Sequence, residues 1–201
     1  MRLLSIVLMA FMTIAAAPFA DKKNDARFSP GPASSYPSKQ TNDNLTIAAV
    51  PYDTDELAHT AFVKVNPAHY GVLPVLVIIQ NDTQRALKLD GIQVEYIGVD
   101  RSRIDATPAA DVKFIGAGPK RPETTPRASP IPPGLIKHKN PLAAQEIEGR
   151  GFAAKMLPAH ESANGFFYFQ TRHMPGAKLY VTGISEAGTG KEIYYFEIPL
   201  Q

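Results

Sequence analysis

Cysteine is absent from the 201-residue chain. That removes any disulfide framework and any lipid-modified cysteine anchor, so an apolar core must hold the fold. Long apolar runs are scarce too. Beyond the N-terminus no segment reaches the roughly 20 residues that cross a bilayer, which argues against an integral membrane protein. Charge of one sign is also lacking: 21 Lys and Arg against 19 Asp and Glu leave a formal net charge of +2. No global field then draws the chain to nucleic acid or to an anionic membrane, and a charged partner must be met locally.

Several catalytic and ligand-binding signatures are missing as well. There is no G-x-S-x-G elbow, since Ser162 sits in ESANG, and no S-x-x-K pair. The histidines at 59, 69, 138, 160 and 173 show neither H-x-x-x-H nor H-E-x-x-H spacing, so no metal site is expected. Gly188-Thr189-Gly190-Lys191 imitates a phosphate loop, but Glu192 follows the lysine where Ser or Thr is needed. No cofactor is expected.

What is present begins with an export pattern. Met1-Arg2 is basic, Leu3 to Ala17 is apolar apart from Ser5 and Thr13, and small residues stand at Ala15-Ala16-Ala17 before Pro18 and again at Ala20. Residues 1–20 read as a cleavable signal peptide, placing the product outside the cytoplasm, secreted or periplasmic. Residues 21–44 are rich in Ser, Pro, Asn and charge, with no aliphatic side chain larger than alanine; they read as a disordered spacer. Residues 45–201 read as one domain. Within it, 116–141 is an irregular Pro-rich insertion carrying Lys120, Arg121, Arg127, Lys137 and Lys139 against the single acid Glu123. Those five cations are candidate contacts for an anionic envelope glycan or a partner's groove.

Elsewhere the hydrophobic period is mostly two. Strands are expected over 45–52, 73–80, 92–99, 164–170, 178–185 and 192–200, with 73–80 and 92–99 paired in one sheet. The turn formers Asn81-Asp82 and the glycines of EAGTGK supply connections. A short helix is expected over 54–62, with acids in its first turn. Thr107-Pro108 and Asn140-Pro141 each set a capping residue before a proline and mark two further helix starts. Short strands with these turns point to an antiparallel β-sandwich with short helices and a long Pro-rich basic insertion.

The order of the parts is GVLPVLVIIQNDTQRALKL, then YIGVDRSRIDATPAAD, then LPAHESANGFFYFQ, and last a hairpin closing on YYFEIPL. It resembles a group of uncharacterised exported bacterial proteins with an immunoglobulin-like β-sandwich, similar in style to the telokin-like extracellular domain family. The resemblance rests on short motifs such as Leu157, Pro158, Glu161, Ser162 and Gly165. It implies a binding, sensing or accessory module and no established activity. Where that turn usually carries glycine, this chain has Ala159-His160.

His160, Glu161 and Ser162 raise the question of a catalytic site. Neighbours on an extended chain point to opposite sides, so the carboxylate cannot back the histidine while the hydroxyl faces it. A turn delivering the aromatic run into a strand is the simpler account. That run cannot bury all its rings on one face, since Phe167 and Phe169 oppose Phe166 and Tyr168. Either a helix or the long loop covers the second face, or Tyr168, Tyr180 and Tyr195 form an exposed binding patch. The expected function is a non-catalytic binding or structural accessory module of the cell envelope, meeting a protein or an envelope glycan, with no nucleic-acid partner and no stable membrane insertion. The alternatives are a hydrolase using His69 or His160 with a carboxylate from another loop, and an adhesin or assembly subunit acting by strand addition.

Overall fold

The computed structural model describes residues 28–115, 140–193 and 195–201. The signal-peptide reading and the cations at 120, 121, 127, 137 and 139 lie outside these residues. Among the described residues no helix is long and apolar enough to cross a membrane.

Strand β3 (Leu73–Asn81) has every residue buried except half-buried Gln80. Side chains of a strand alternate between its two faces, so an unbroken aliphatic strand needs cover on both. Its edges are occupied first. Strand β2 (Leu45–Pro51) pairs with it from Leu45↔Asn81 to Pro51↔Val75, and β8 (Ser162–Phe169) pairs from Leu73↔Phe169 to Gln80↔Ser162. With β1 (Lys39–Asn42) outside β2, the first sheet has the antiparallel order β1-β2-β3-β8.

The strand expected beside β3 is not there. Both edges of β3 are taken, and β5 (Gln93–Ile97) instead pairs with β9 (Lys178–Thr182) and with β6 (Arg103–Asp105). With β12 (Phe196–Pro199) beyond β9, the second sheet has the order β12-β9-β5-β6. The chain crosses between sheets through β4 (Leu87–Lys88), anchored by buried Leu87 and Leu89. There it joins a small strip with β7 (Met156–Leu157), β10 (Ile184–Glu186) and β11 (Glu192–Ile193), in the order β11-β10-β4-β7.

The two large sheets pack face to face. Leu45, Ile47, Val75, Val77 and Ile79 of the first share one core with Val94, Tyr96, Leu179, Val181, Phe196 and Ile198 of the second. Taken in chain order, β2, β3 and β8 on one sheet and β5, β6, β9 and β12 on the other reproduce the immunoglobulin arrangement ABE against CC′FG. The expected fold class is therefore observed, with a third layer added. Ala48, Leu76, Ile78, Phe166 and Tyr168, on the far face of the first sheet, pack with Phe62, Val65, Val112, Leu142 and Ile147. This layer contains α1 (Asp55–Ala61), α2 (Gln145–Gly149) and three-residue to four-residue 3-10 turns.

The helix signals fare unequally. Thr54 Oγ1 accepts from Leu57 N at 3.3 Å and Asp55 and Glu56 occupy the first turn of α1, as expected. Asn140 Oδ1 accepts from Leu142 N at 3.0 Å and opens the 3-10 turn Pro141–Ala143, with α2 following. Thr107 does not cap a helix. Its N–H donates to Tyr168 O at 2.7 Å, and a 3-10 turn starts only at Val112. The outer edge of β8 needs partners more than a short helix needs a cap. Phe152 N also donates to Phe166 O at 3.1 Å, and Phe166 N to Arg150 O at 2.9 Å. Gly165 permits that approach, because a Cβ there would lie 2.5 Å from Phe152 Cα.

The spacer reading is corrected for residues 28–44. Strand β1 pairs residue by residue with β2, Ala33 and Ser38 are buried, and Phe28 packs on Tyr52 and Phe166 with centroids 6.1 and 5.5 Å apart. Backbone pairing, not side-chain burial, holds β1, so a composition without aliphatics does not reveal it. Asp43 and Asn44, at φ 47° and 62°, form the positive-φ pair that a tight β1–β2 hairpin requires. The run expected over 178–185 also divides, into β9 and β10, at Gly183.

Candidate functional site

The outer face of the second sheet follows from strand alternation. On β9, Leu179 and Val181 point into the core, which turns Tyr180 outward; on β12, Phe196 and Ile198 do the same for Glu197. The register sets Tyr180 between Glu95 and Glu197. The rings of Tyr180 and Tyr195 stack at 5.4 Å with planes 28° apart. Arg103 lies 5.1 Å from the centroid of the Tyr180 ring, and its Nε and Nη2 donate to Glu95 Oε2 at 3.0 and 2.6 Å. Lys178 Nζ lies 3.2 Å from Glu197 Oε2. Together Ile97, Arg101, Arg103, Tyr180, Tyr195 and Glu197 line an open cleft of about 350 Å³.

Arg101 stands at the tip of the β5–β6 turn with φ 66°, in the left-handed region that side chains other than glycine rarely adopt. The turn is closed by Arg101 N donating to Gly98 O at 3.0 Å. Asp100 Oδ1 accepts from Ser102 N at 3.0 Å and from its hydroxyl at 2.6 Å, which holds the Asp100 carboxyl below its ordinary range. Among the described residues no carboxylate lies within 4.0 Å of the Arg101 guanidinium.

Of the three tyrosines expected to form one patch, the structure brings Tyr180 and Tyr195 together and separates Tyr168 from them. Tyr168 faces the helical layer of the other sheet, fully buried, with its hydroxyl donating to Ile147 O at 2.6 Å. Burial pushes its pKa far above the ordinary tyrosine value of 10. The reading that a helical layer covers the second aromatic face holds for Phe166 and Tyr168. Phe169 enters the sandwich core and Phe167 stacks on Phe152 at 5.2 Å.

The histidines lie elsewhere. His69 Nε2 is 3.1 Å from Asp55 Oδ1, which also accepts from Asn66 Nδ2 at 2.7 Å, but both side chains of the pair are over 60% exposed, 63% and 61%. His160 takes φ 63° in the turn before β8, and its Nε2 lies 3.3 Å from Gln84 Oε1. This turn is organised by Asn81, whose Nδ2 donates to Leu157 O and Pro158 O at 3.3 and 2.9 Å. Its main chain exchanges hydrogen bonds with His160 and Glu161. Ser162 opens β8 opposite Gln80. No histidine lines any of the five described cavities, and among the described residues no group of three or more His, Asp or Glu is placed to hold a metal.

Sequence reasoning missed Arg101, Arg103, Glu95 and Glu197, because a cross-strand neighbour is set by register and not by spacing along the chain. The only local signal was the alternation of the two arginines in DRSR.

Comparison with known protein families gives no match, and neither does comparison with curated proteins. Among solved structures, an uncharacterised β-sandwich protein from Clostridium difficile 630 is 13% identical, with 79% of this chain and 88% of that one covered and a TM-score of 0.29. A functionally unknown protein from Listeria monocytogenes EGD-e is 11% identical over 81% of each chain, with a TM-score of 0.32. At such scores the class of this protein rests on its own strand order: an antiparallel β-sandwich with a helical third layer.

Proposed function

We propose that the protein is an exported, non-catalytic binding module of the cell envelope, in the manner of the immunoglobulin-like exported domains its sequence resembles, and that it binds through the outer face of β12-β9-β5-β6. The observation that carries this reading is the stacked Tyr180–Tyr195 pair beside an open cleft. Aromatic side chains with an apolar body and a polar tip are the groups that supply contact energy at protein surfaces. Export is supported by the pattern of residues 1–20.

The test is capture from cell-envelope material by the full chain and by the Tyr180→Ser, Tyr195→Ser double variant. At least tenfold lower capture by the variant, at an unchanged urea unfolding midpoint, is the expected result. Equal capture by the two chains would end the assignment of this face.

A further inference from the structure

We propose that the cleft takes an acidic saccharide, a pyranose bearing a carboxylate, with the sugar ring laid on Tyr195 and the carboxylate held by Arg101. This rests on the binding-module reading above and names the ligand of the same face.

The aromatic part of the site is built and held before any ligand arrives. Tyr180 is fixed by Arg103 on its ring and by the Tyr195 stack, and Arg103 is itself tied to Glu95. Tyr195, at the end of the stack, keeps 52% exposure. An open ring stacked on its neighbour suits a ligand with one flat C–H face, which a pyranose offers and a hydrated ion does not.

The charges point the same way. Arg103 is answered by Glu95 and Glu197 by Lys178. Arg101 has no carboxylate partner among the described residues, and it occupies a left-handed position where glycine would be least strained. A single uncompensated guanidinium beside an aromatic platform fits one anionic group attached to the stacking ring, and a planar guanidinium matches a carboxylate in two parallel hydrogen bonds. The remaining polar lining, including Glu197 and the two tyrosine hydroxyls, is suited to sugar hydroxyls. A volume of about 350 Å³ sits at the small end of ligand sites.

The edges argue against an extended peptide. Beside Tyr195, the free edge of β12 is already used: Glu197 N donates to Gln40 Oε1 at 2.6 Å and Asn42 Nδ2 donates to Tyr195 O at 3.4 Å. The opposite edge, β6, is three residues long. Main-chain pairing, from which strand addition draws its affinity, has little to attach to, so recognition falls to side chains. Polyanions without a sugar face gain little from one such arginine in a chain of net charge +2.

Isothermal titration of the full chain with trigalacturonate, with its methyl ester and with a hyaluronan tetrasaccharide tests this. Saturable binding of at least one acidic saccharide is expected, with the ester at least tenfold weaker than trigalacturonate where the latter binds. Arg101→Gly, which also relieves the left-handed backbone, should cost the acid tenfold or more without lowering the unfolding midpoint, and Tyr195→Ser should weaken acid and ester alike. Equal affinity for acid and ester, binding of poly-glutamate as tight as that of the saccharide, or an undiminished Arg101→Gly variant would each overturn the proposal. If neither acidic saccharide binds while envelope capture still falls in the double tyrosine variant, the ligand class is wrong and the binding face stands; if capture is also unaffected, both readings fail.

Discussion

Asn81 does more for the turn before β8 than the residues that first draw the eye there. It is fully buried; Nδ2 donates to Arg85 O, Leu157 O and Pro158 O, while Oδ1 accepts from Thr83 N and Oγ1 at 3.1 and 2.7 Å. Leaving buried carbonyls without a donor costs about 1–3 kcal/mol each, so Asn81→Ala should lower stability by about 3 kcal/mol in urea unfolding. Asn81→Asp should cost at least as much, because a carboxylate turns an acceptor toward three carbonyls. His160 carries the opposite expectation. Its side chain offsets the φ of 63° only through a 3.3 Å contact with Gln84, and the bond from His160 N to Asn81 O at 2.8 Å survives in glycine, so His160→Gly should raise stability by up to about 1 kcal/mol. The sequence showed Asn81-Asp82 as self-bonding turn formers and His160 at a glycine position. The reach of Asn81 to Leu157 and Pro158 was not legible, since residues so far apart meet only once β3 and β8 are in register.

At the scale of strands, alternation was readable and partnership was not. The unbroken run LPVLVIIQ announced a strand, but nothing local said that both its faces would be covered or that β8 and β2 would occupy its edges and send β5 to the other sheet. Gly183 shows why one expected strand became two. It has φ 77°, and a Cβ there would lie 2.0 Å from Gly91 O, so the chain kinks where β9 passes into β10. Gly183→Ala should destabilise by about 3 kcal/mol or more, measured by thermal or urea unfolding. Buried tyrosines between the layers add a pH dependence. Burial raises the pKa of Tyr168 and Tyr52 in the outer core and of Tyr96 in the sandwich core. A folded pKa above the unfolded one means that the folded state holds the proton more tightly. The stabilisation is therefore complete below about pH 10, the unfolded tyrosine range, and is lost as pH climbs above it. Urea midpoints should be flat from pH 8 to 9.5 and fall steeply beyond. Tyr168→Phe should cost about 1 kcal/mol at neutral pH through the lost bond to Ile147 O, and should make the alkaline fall shallower.

For the molecule as a whole, the decisive segment is the one whose composition promised least. Residues 28–44 reach the core on the far face of the first sheet and the binding face of the second. Phe28 enters the aromatic cluster of Tyr52 and Phe166 and carries the Arg150 guanidinium 4.9 Å from its centroid, and Ala33 is buried beneath the first sheet. Strand β1 completes the sheet edge, then sends Gln40 and Asn42 across to β12 beside Tyr195. A boundary drawn at Leu45 therefore cuts through the domain. A chain beginning at Leu45 should be less stable than one beginning at Phe28 by about 3–5 kcal/mol, since it loses a buried aromatic, a strand's hydrogen bonds and the cover over Phe166. That is a large fraction of what a domain of this size possesses, and the shorter chain should be partly unfolded without denaturant. Comparing urea unfolding of the two chains checks it, and coincident curves would mean that the segment merely rests on the surface. Because Gln40 and Asn42 brace the strand that presents Tyr195, shortening to Leu45 should also lower envelope capture under conditions where the sandwich remains folded, whereas shortening to Phe28 should leave capture unchanged.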